Sequence, residues 1–149
     1  MGVQQILMIV LTVIIIGASI TVGIQMYDSQ ANNQTRNAVV SDLTHFGVQA
    51  QAWYRLPVVM GGPGAEGLNT GNLQRLIETI NRDWTTAPYT NTTAFYAFSV
   101  VDEDNLGIIG TSISNSNIVV AARITLKGGT ETESYGILIR SGDTIPTGP

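Results

Sequence analysis

The side chains able to do chemistry are few and scattered. His45 is the only histidine, and the chain has no cysteine. A transition-metal site therefore has little to draw on, and disulfides and a thiol nucleophile are excluded. His45 precedes Phe46 in a helical stretch and reads as a partly exposed helix residue. The densest acidic cluster is Asp102-Glu103-Asp104-Asn105, followed by Gly107. Its oxygens could ligate Ca²⁺, but it lacks the spacing of a calcium loop. A hairpin turn built on Asx chemistry and glycine accounts for the same residues. Asn33-Gln34-Thr35 and Asn91-Thr92-Thr93 match the N-glycosylation triplet, and the threonine-rich stretch Trp84–Thr93 offers hydroxyls for O-linked sugar. Tyr27, Phe46, Trp53 and Tyr54 could suggest an aromatic electron path, though core packing explains Phe46 and Trp53 more simply. There is no catalytic triad, phosphate loop or acid–base pair. The expectation is a non-enzyme, with no cofactor and no metal site.

The charges are distributed unevenly. All seven Lys/Arg and all eleven Asp/Glu lie at or beyond Asp28. The net charge of −4 and the scatter of the basic residues argue against nucleic acid as a main partner, because a phosphate-binding surface needs clustered Lys/Arg. Residues 1–27 and 28–149 must meet different solvents.

Ile6 to Ile24 reads ILMIVLTVIIIGASITVGI. As a helix this segment is roughly 28 Å long, close to the roughly 30 Å hydrocarbon core of a bilayer. Its polar side chains, Thr12, Ser19 and Thr21, can bond back to the helix backbone. Three readings compete. A cleaved secretory signal calls for a basic start, which MGVQQ lacks, and for a shorter apolar run. A plain single-span anchor fits, but no basic residue before Arg36 orients it.

The third reading rests on the residues beyond Ile24. No proline occurs before Pro57. Beyond Ser29 the composition turns polar, yet Val39, Leu43, Phe46, Ala50 and Trp53 recur in helical steps. A helix from about Val3 to Arg55 is roughly 80 Å long, whereas the remaining residues make a domain only about 26 Å across. The outer half can pack on that domain through the stripe. The inner half needs lipid or other copies of itself.

In these features the sequence resembles the type IV pilin family: an uncharged start, Ile6-Leu7-Met8-Ile9-Val10, a long β-branched run, and a stalk turning amphipathic near residue 28. The resemblance covers the N-terminal third. It implies a subunit of an extracellular helical filament, held in the inner membrane before self-assembly into a homopolymer. In that setting Gln5, Ile6, Leu7, Ile9, Val10, Val13, Ile14, Ile16, Gly17, Ile20, Gly23 and Ile24 pack in the filament core. The resemblance also implies processing by a prepilin peptidase, N-methylation at Met1 (cleavage after Gly2 to release Val3 is the alternative), and a separate assembly ATPase. A pseudopilin of a secretion system and a monomeric anchored domain remain alternatives.

Two residues depart from the family. Its usual glutamate five residues into the mature chain is Gln5 here, or Ile6 if the Leu-Met-Ile-Val blocks are aligned. A neutral amide can still accept a hydrogen bond and costs less to bury than a carboxylate. The mid-helix proline of bacterial members is absent, and Gly17 and Gly23 flank Ser19, Thr21 and Val22 instead. Glycine costs about 1 kcal/mol in a helix interior, so residues 17–23 are expected to be the weakest part of the rod in a fibre. Close packing of small residues between helices explains the same composition.

The rest reads as an α+β arrangement in three parts: residues 1–27 as apolar anchor and filament core, 28–56 as amphipathic continuation, and 57–149 as a β-rich domain. Val39, Leu43, Phe46, Ala50 and Trp53 are expected to pack the helix on that domain. Val58–Gly71, with five glycines and a proline, predicts a loop of little intrinsic order. Asn72 reads as the N-cap of a short helix running to Trp84, with Leu73, Leu76, Ile77 and Ile80 buried. Ala94–Val101, Leu106–Ile113, Asn117–Leu126 and Ser134–Ile139 predict a four-stranded antiparallel sheet laid on the long helix, with an extended tail Ser141–Pro149.

Overall fold

The computed structural model describes residues 2–127, 137–142, 144 and 145. Met1, residues 134–136 of the expected fourth strand, and residues 143 and 146–149 of the expected tail lie outside the described residues. The fold is α+β, with a long N-terminal helix and an antiparallel sheet. By internal contact the chain divides into two units, Met1–Gln34 and Thr35–Pro149.

Helix α1 runs from Gly2 to Tyr54. It closes by tightening: the Arg55 and Leu56 amides donate to the carbonyls three residues back, Ala52 and Trp53, at 3.3 and 3.0 Å. Pro57 then forbids continuation, having no N–H to give and disfavouring helical geometry at Leu56.

The second unit is built on the last five turns of α1. Val39, Leu43, Phe46, Ala50 and Trp53 are all buried. The sheet has five strands in sequential antiparallel order: β1 Tyr89–Thr90, β2 Ala94–Asp102, β3 Asn105–Ser112, β4 Val119–Thr125 and β5 Ile137–Ser141. Four of these correspond to expected strands. The two-residue β1 does not, because a segment so short has no periodicity to read. β5 extends to Ser141, two residues past its expected end at Ile139. Period-2 alternation turns Ala94, Tyr96, Phe98 and Val100 of β2 to one face, where they join Leu106 and Ile108 of β3 and Val120, Ala122 and Ile124 of β4 in the core with the α1 stripe.

A close approach fixes how α1 meets β3. A methyl group at Gly110 would stand 2.8 Å from Val39 Cγ1 and 3.1 Å from the Tyr96 ring. Gly110→Ala should therefore overpack this seam and lower stability by about 1–3 kcal/mol. A denaturant midpoint that falls at constant m-value checks it.

Three local expectations are corrected. Val58–Gly71 carries local structure, with single 3₁₀ turns at Val58–Met60 and Gly64–Glu66. The Trp53 indole N–H donates to the Gly61 carbonyl at 3.0 Å, and the Leu68 amide donates to the Glu103 carbonyl at 2.6 Å. Leu68 itself is buried. Second, the short helix α2 covers Leu73–Ile80 only, and Asn72 does not cap it with its side chain. Asn72 Oδ1 instead accepts from the Asn69 amide at 2.8 Å, while Asn69 Oδ1 accepts from the amides of Gly71 and Asn72 at 2.9 Å each. Leu76 and Ile77 are buried, and Leu73 and Ile80 pack partly against the core. Third, the acidic turn does without glycine: Gly107 belongs to β3, as its place in the expected strand Leu106–Ile113 requires, and a side chain there would collide with Ile145 and approach Ser99 Oγ to 2.8 Å.

Candidate membrane and assembly segment

In the first unit every large apolar side chain from Val3 to Tyr27 is at least half exposed. Ile6, Leu7, Ile9, Val10, Val13, Ile14, Ile16, Ile20 and Ile24 are among them. Gln5 is exposed as well, and a methyl group at Gly17 or Gly23 would meet nothing within 4 Å. The single chain brings none of these residues into packing. They surround the helix, which has no polar face over this stretch, and such a helix belongs in lipid or in the interior of an assembly. Its apolar window is long enough to cross a membrane and is 0% buried within the chain.

The three hydroxyl side chains between Ile6 and Ile24 make no demand on that environment. Thr12 and Ser19 donate to the carbonyls of Met8 and Ile15 at 2.8 Å, and Thr21 donates to the Gly17 carbonyl at 3.1 Å. Each hydroxyl hydrogen is thereby satisfied inside the helix, which removes the penalty of carrying it into hydrocarbon. Helical structure continues without a break through Gly17–Gly23 in the isolated chain. The segment is compatible with membrane anchoring.

The residues that suggested other chemistry have local partners. His45 is exposed, with its ring centroid 6.2 Å from that of Phe46. The acidic cluster forms the tip of the β2–β3 hairpin: Asp104 Oδ1 accepts from the Tyr54 hydroxyl at 2.7 Å, and the Asp104 carbonyl accepts from the Leu126 amide at 2.8 Å. Asp102 Oδ2 accepts from Arg123 at 3.4 Å. Among the described residues no three metal-ligating side chains gather. Of the electron-path candidates, Tyr27 is exposed in the first unit. Phe46 joins Trp84, Tyr96 and Phe98, its ring centroid 4.9 Å from Tyr96 and 5.4 Å from Trp84.

Sequence reasoning missed one polar cluster. Tyr96 donates to Asp42 Oδ2 at 2.6 Å, and Asn91 Nδ2 donates to the same oxygen at 2.9 Å. Asn91 Oδ1 also accepts from the amides of Thr93 and Ala94. The amide nitrogen that an N-glycan would take is thus already committed at Asn91. The cluster ties α1 to β2 and to the turn before it. Its members lie far apart in sequence, and their only local signal is the Asn91-Thr92-Thr93 turn chemistry. Burial and the hydrogen bond to Asp42 push the Tyr96 hydroxyl well above the ordinary tyrosine range. The folded state therefore holds this proton more tightly than the unfolded state does. The resulting stability is fully present below about pH 10, the ordinary tyrosine value, and is lost as pH climbs above it. Unfolding at pH 9, 10 and 11 should show that loss, and Tyr96→Phe should flatten it while costing about 1–3 kcal/mol at neutral pH.

Comparisons with protein-family models, with curated proteins and with solved structures find no match.

Proposed function

We propose that this chain is the structural subunit of a helical filament of the type IV pilin kind, held in a membrane by residues 2–27 until it assembles. One observation carries the reading: α1 is exposed and apolar on every side over residues 2–27, while its other apolar stripe, Val39 to Trp53, is already used by the chain's own sheet. The free segment needs a partner that the chain does not supply.

The energetics distinguish the two possible surroundings. Residues 6–26 carry fourteen large apolar side chains. At about 1.5 kcal/mol each, exposing them to water costs roughly 20 kcal/mol as an upper bound. Between lipid and a bundle of like helices the hydrophobic gain is small, and packing decides. Such a fibre resists dissolving in water yet exchanges subunits with a membrane. On this reading the outer domain forms the fibre surface, assembly starts from the inner membrane, and a peptidase and an ATPase act on the chain.

Electron microscopy of fractions sheared from cells, with the chain identified by mass, tests the proposal. Long surface fibres containing the chain support it. Short fibres confined beneath the outer envelope would assign it to a secretion system instead. Recovery only as monomer in membranes would leave a single-span anchored domain.

A further inference from the structure

Beyond residues 2–27, the most exposed apolar cluster among the described residues is the 3₁₀ turn Val58–Met60. Val59 is 97% exposed, Met60 71% and Val58 65%. The turn is held in place. The Met60 and Gly62 amides donate to the Pro57 carbonyl at 2.9 and 3.2 Å, and the Gly61 amide donates to the Val58 carbonyl at 3.0 Å. The Trp53 indole fixes the Gly61 carbonyl, and Gly61 adopts φ +88°, which a side chain would resist. No charged residue occurs from Leu56 to Ala65. A hydrogen-bonded, uncharged turn holding three apolar side chains in water has the character of an interface core.

The chain carries the complement. A helix apolar on every side needs cover on every side. In a bundle, like helices cover only the inward side of residues 2–27, so the outward side must meet something else without charge. An anionic lipid surface matches the turn poorly, since the chain bears a net charge of −4 and Arg55 is the single lysine or arginine between Arg36 and Arg75.

We infer that the Val58–Met60 turn of one copy packs on the outward side of residues 2–27 of a second copy. This joins two different surfaces, so it repeats head to tail without closing, as a filament requires. The inference rests on the filament reading above.

The chain has no cysteine, so a single Val59→Cys substitution at this exposed position supplies a unique probe, with Thr92→Cys as an exposed control. A water-soluble maleimide should label the Val59→Cys thiol at least about tenfold more slowly in sheared fibres than in detergent-dispersed subunits, with the control unchanged. Mixed fibres should also form a disulfide between Val59→Cys chains and chains carrying Met8→Cys, Leu11→Cys or Val22→Cys, three exposed positions on the side of the helix opposite the residues expected to pack in the core. Equal labelling in fibres and dispersed subunits overturns the contact and leaves the filament reading intact. Protection without any of the three disulfides assigns the turn to a different surface. Protection already present in unassembled protein in membranes assigns it to lipid. Absence of fibres from the unmodified protein overturns both readings.

Discussion

Phe46→Ala is expected to lower the stability of the second unit by about 3–5 kcal/mol. Phe46 sits at the centre of the ring cluster. It meets Tyr96 edge-on at 4.9 Å and Trp84 at 5.4 Å, while Trp84 in turn stands 5.7 Å from Tyr89. Removing the ring takes its own buried area and leaves a cavity that these large neighbours cannot readily fill. It also loses the edge-to-face contacts, each worth about 0.5–1.5 kcal/mol. Domains of ordinary size are stable by about 5–15 kcal/mol, so the loss is a large share of the total.

Trp84 lies against Phe46 and Trp53 is on the same helix, so tryptophan fluorescence during denaturation of the full chain in detergent reads the transition directly. Val48→Ala is the internal control: it lies on the same helix, but Val48 is 56% exposed, so its cost should stay within about 0.5 kcal/mol. Equal losses for the two variants would show that the stripe does not carry the domain.

That stripe was legible because helical period is a local property. Val39, Leu43, Phe46, Ala50 and Trp53 announce one face without any knowledge of what covers it. The same is true of Leu76 and Ile77 in α2, and of Tyr96, Phe98 and Val100 in β2, whose alternation sets the inward face of the sheet. What stayed hidden depends on segments far apart in the chain. Asp42 gives no sign that it will receive Tyr96 and Asn91, 54 and 49 residues away. The structure of Val58–Gly71 draws on the Trp53 indole and the Glu103 carbonyl as well as on its own turn bonds, and the two distant partners leave no mark in its glycine-rich composition. At Asn72 the sequence offered two asparagines three residues apart, and local rules do not say which serves the other. The membrane-length run was legible by length and apolarity alone. Its partners were not, because nothing within one chain touches it.

Ile15→Asp addresses those partners, and its expected result is complete loss of fibres with the second unit still folded. Ile15 is the midpoint of Ile6–Ile24 and is 56% exposed, so the chain itself has no use for it. Aspartate at the centre of a spanning helix costs about 2.5–3.5 kcal/mol on insertion, which weakens membrane anchoring without abolishing it. In a filament core the charge has neither water nor a basic partner, since residues 2–27 of every neighbouring copy are uncharged. Each subunit added to the fibre would bury another such charge, at several kcal/mol apiece after relaxation. The penalty therefore accumulates along the polymer and stops growth, while a lone anchored chain bears it once. The second unit should melt within about 0.5 kcal/mol of the unmodified protein, because no described core residue precedes Val39. Ile15→Leu, which keeps size and apolarity, should assemble normally. Fibres of ordinary number and length from the aspartate variant would remove residues 2–27 from the filament core.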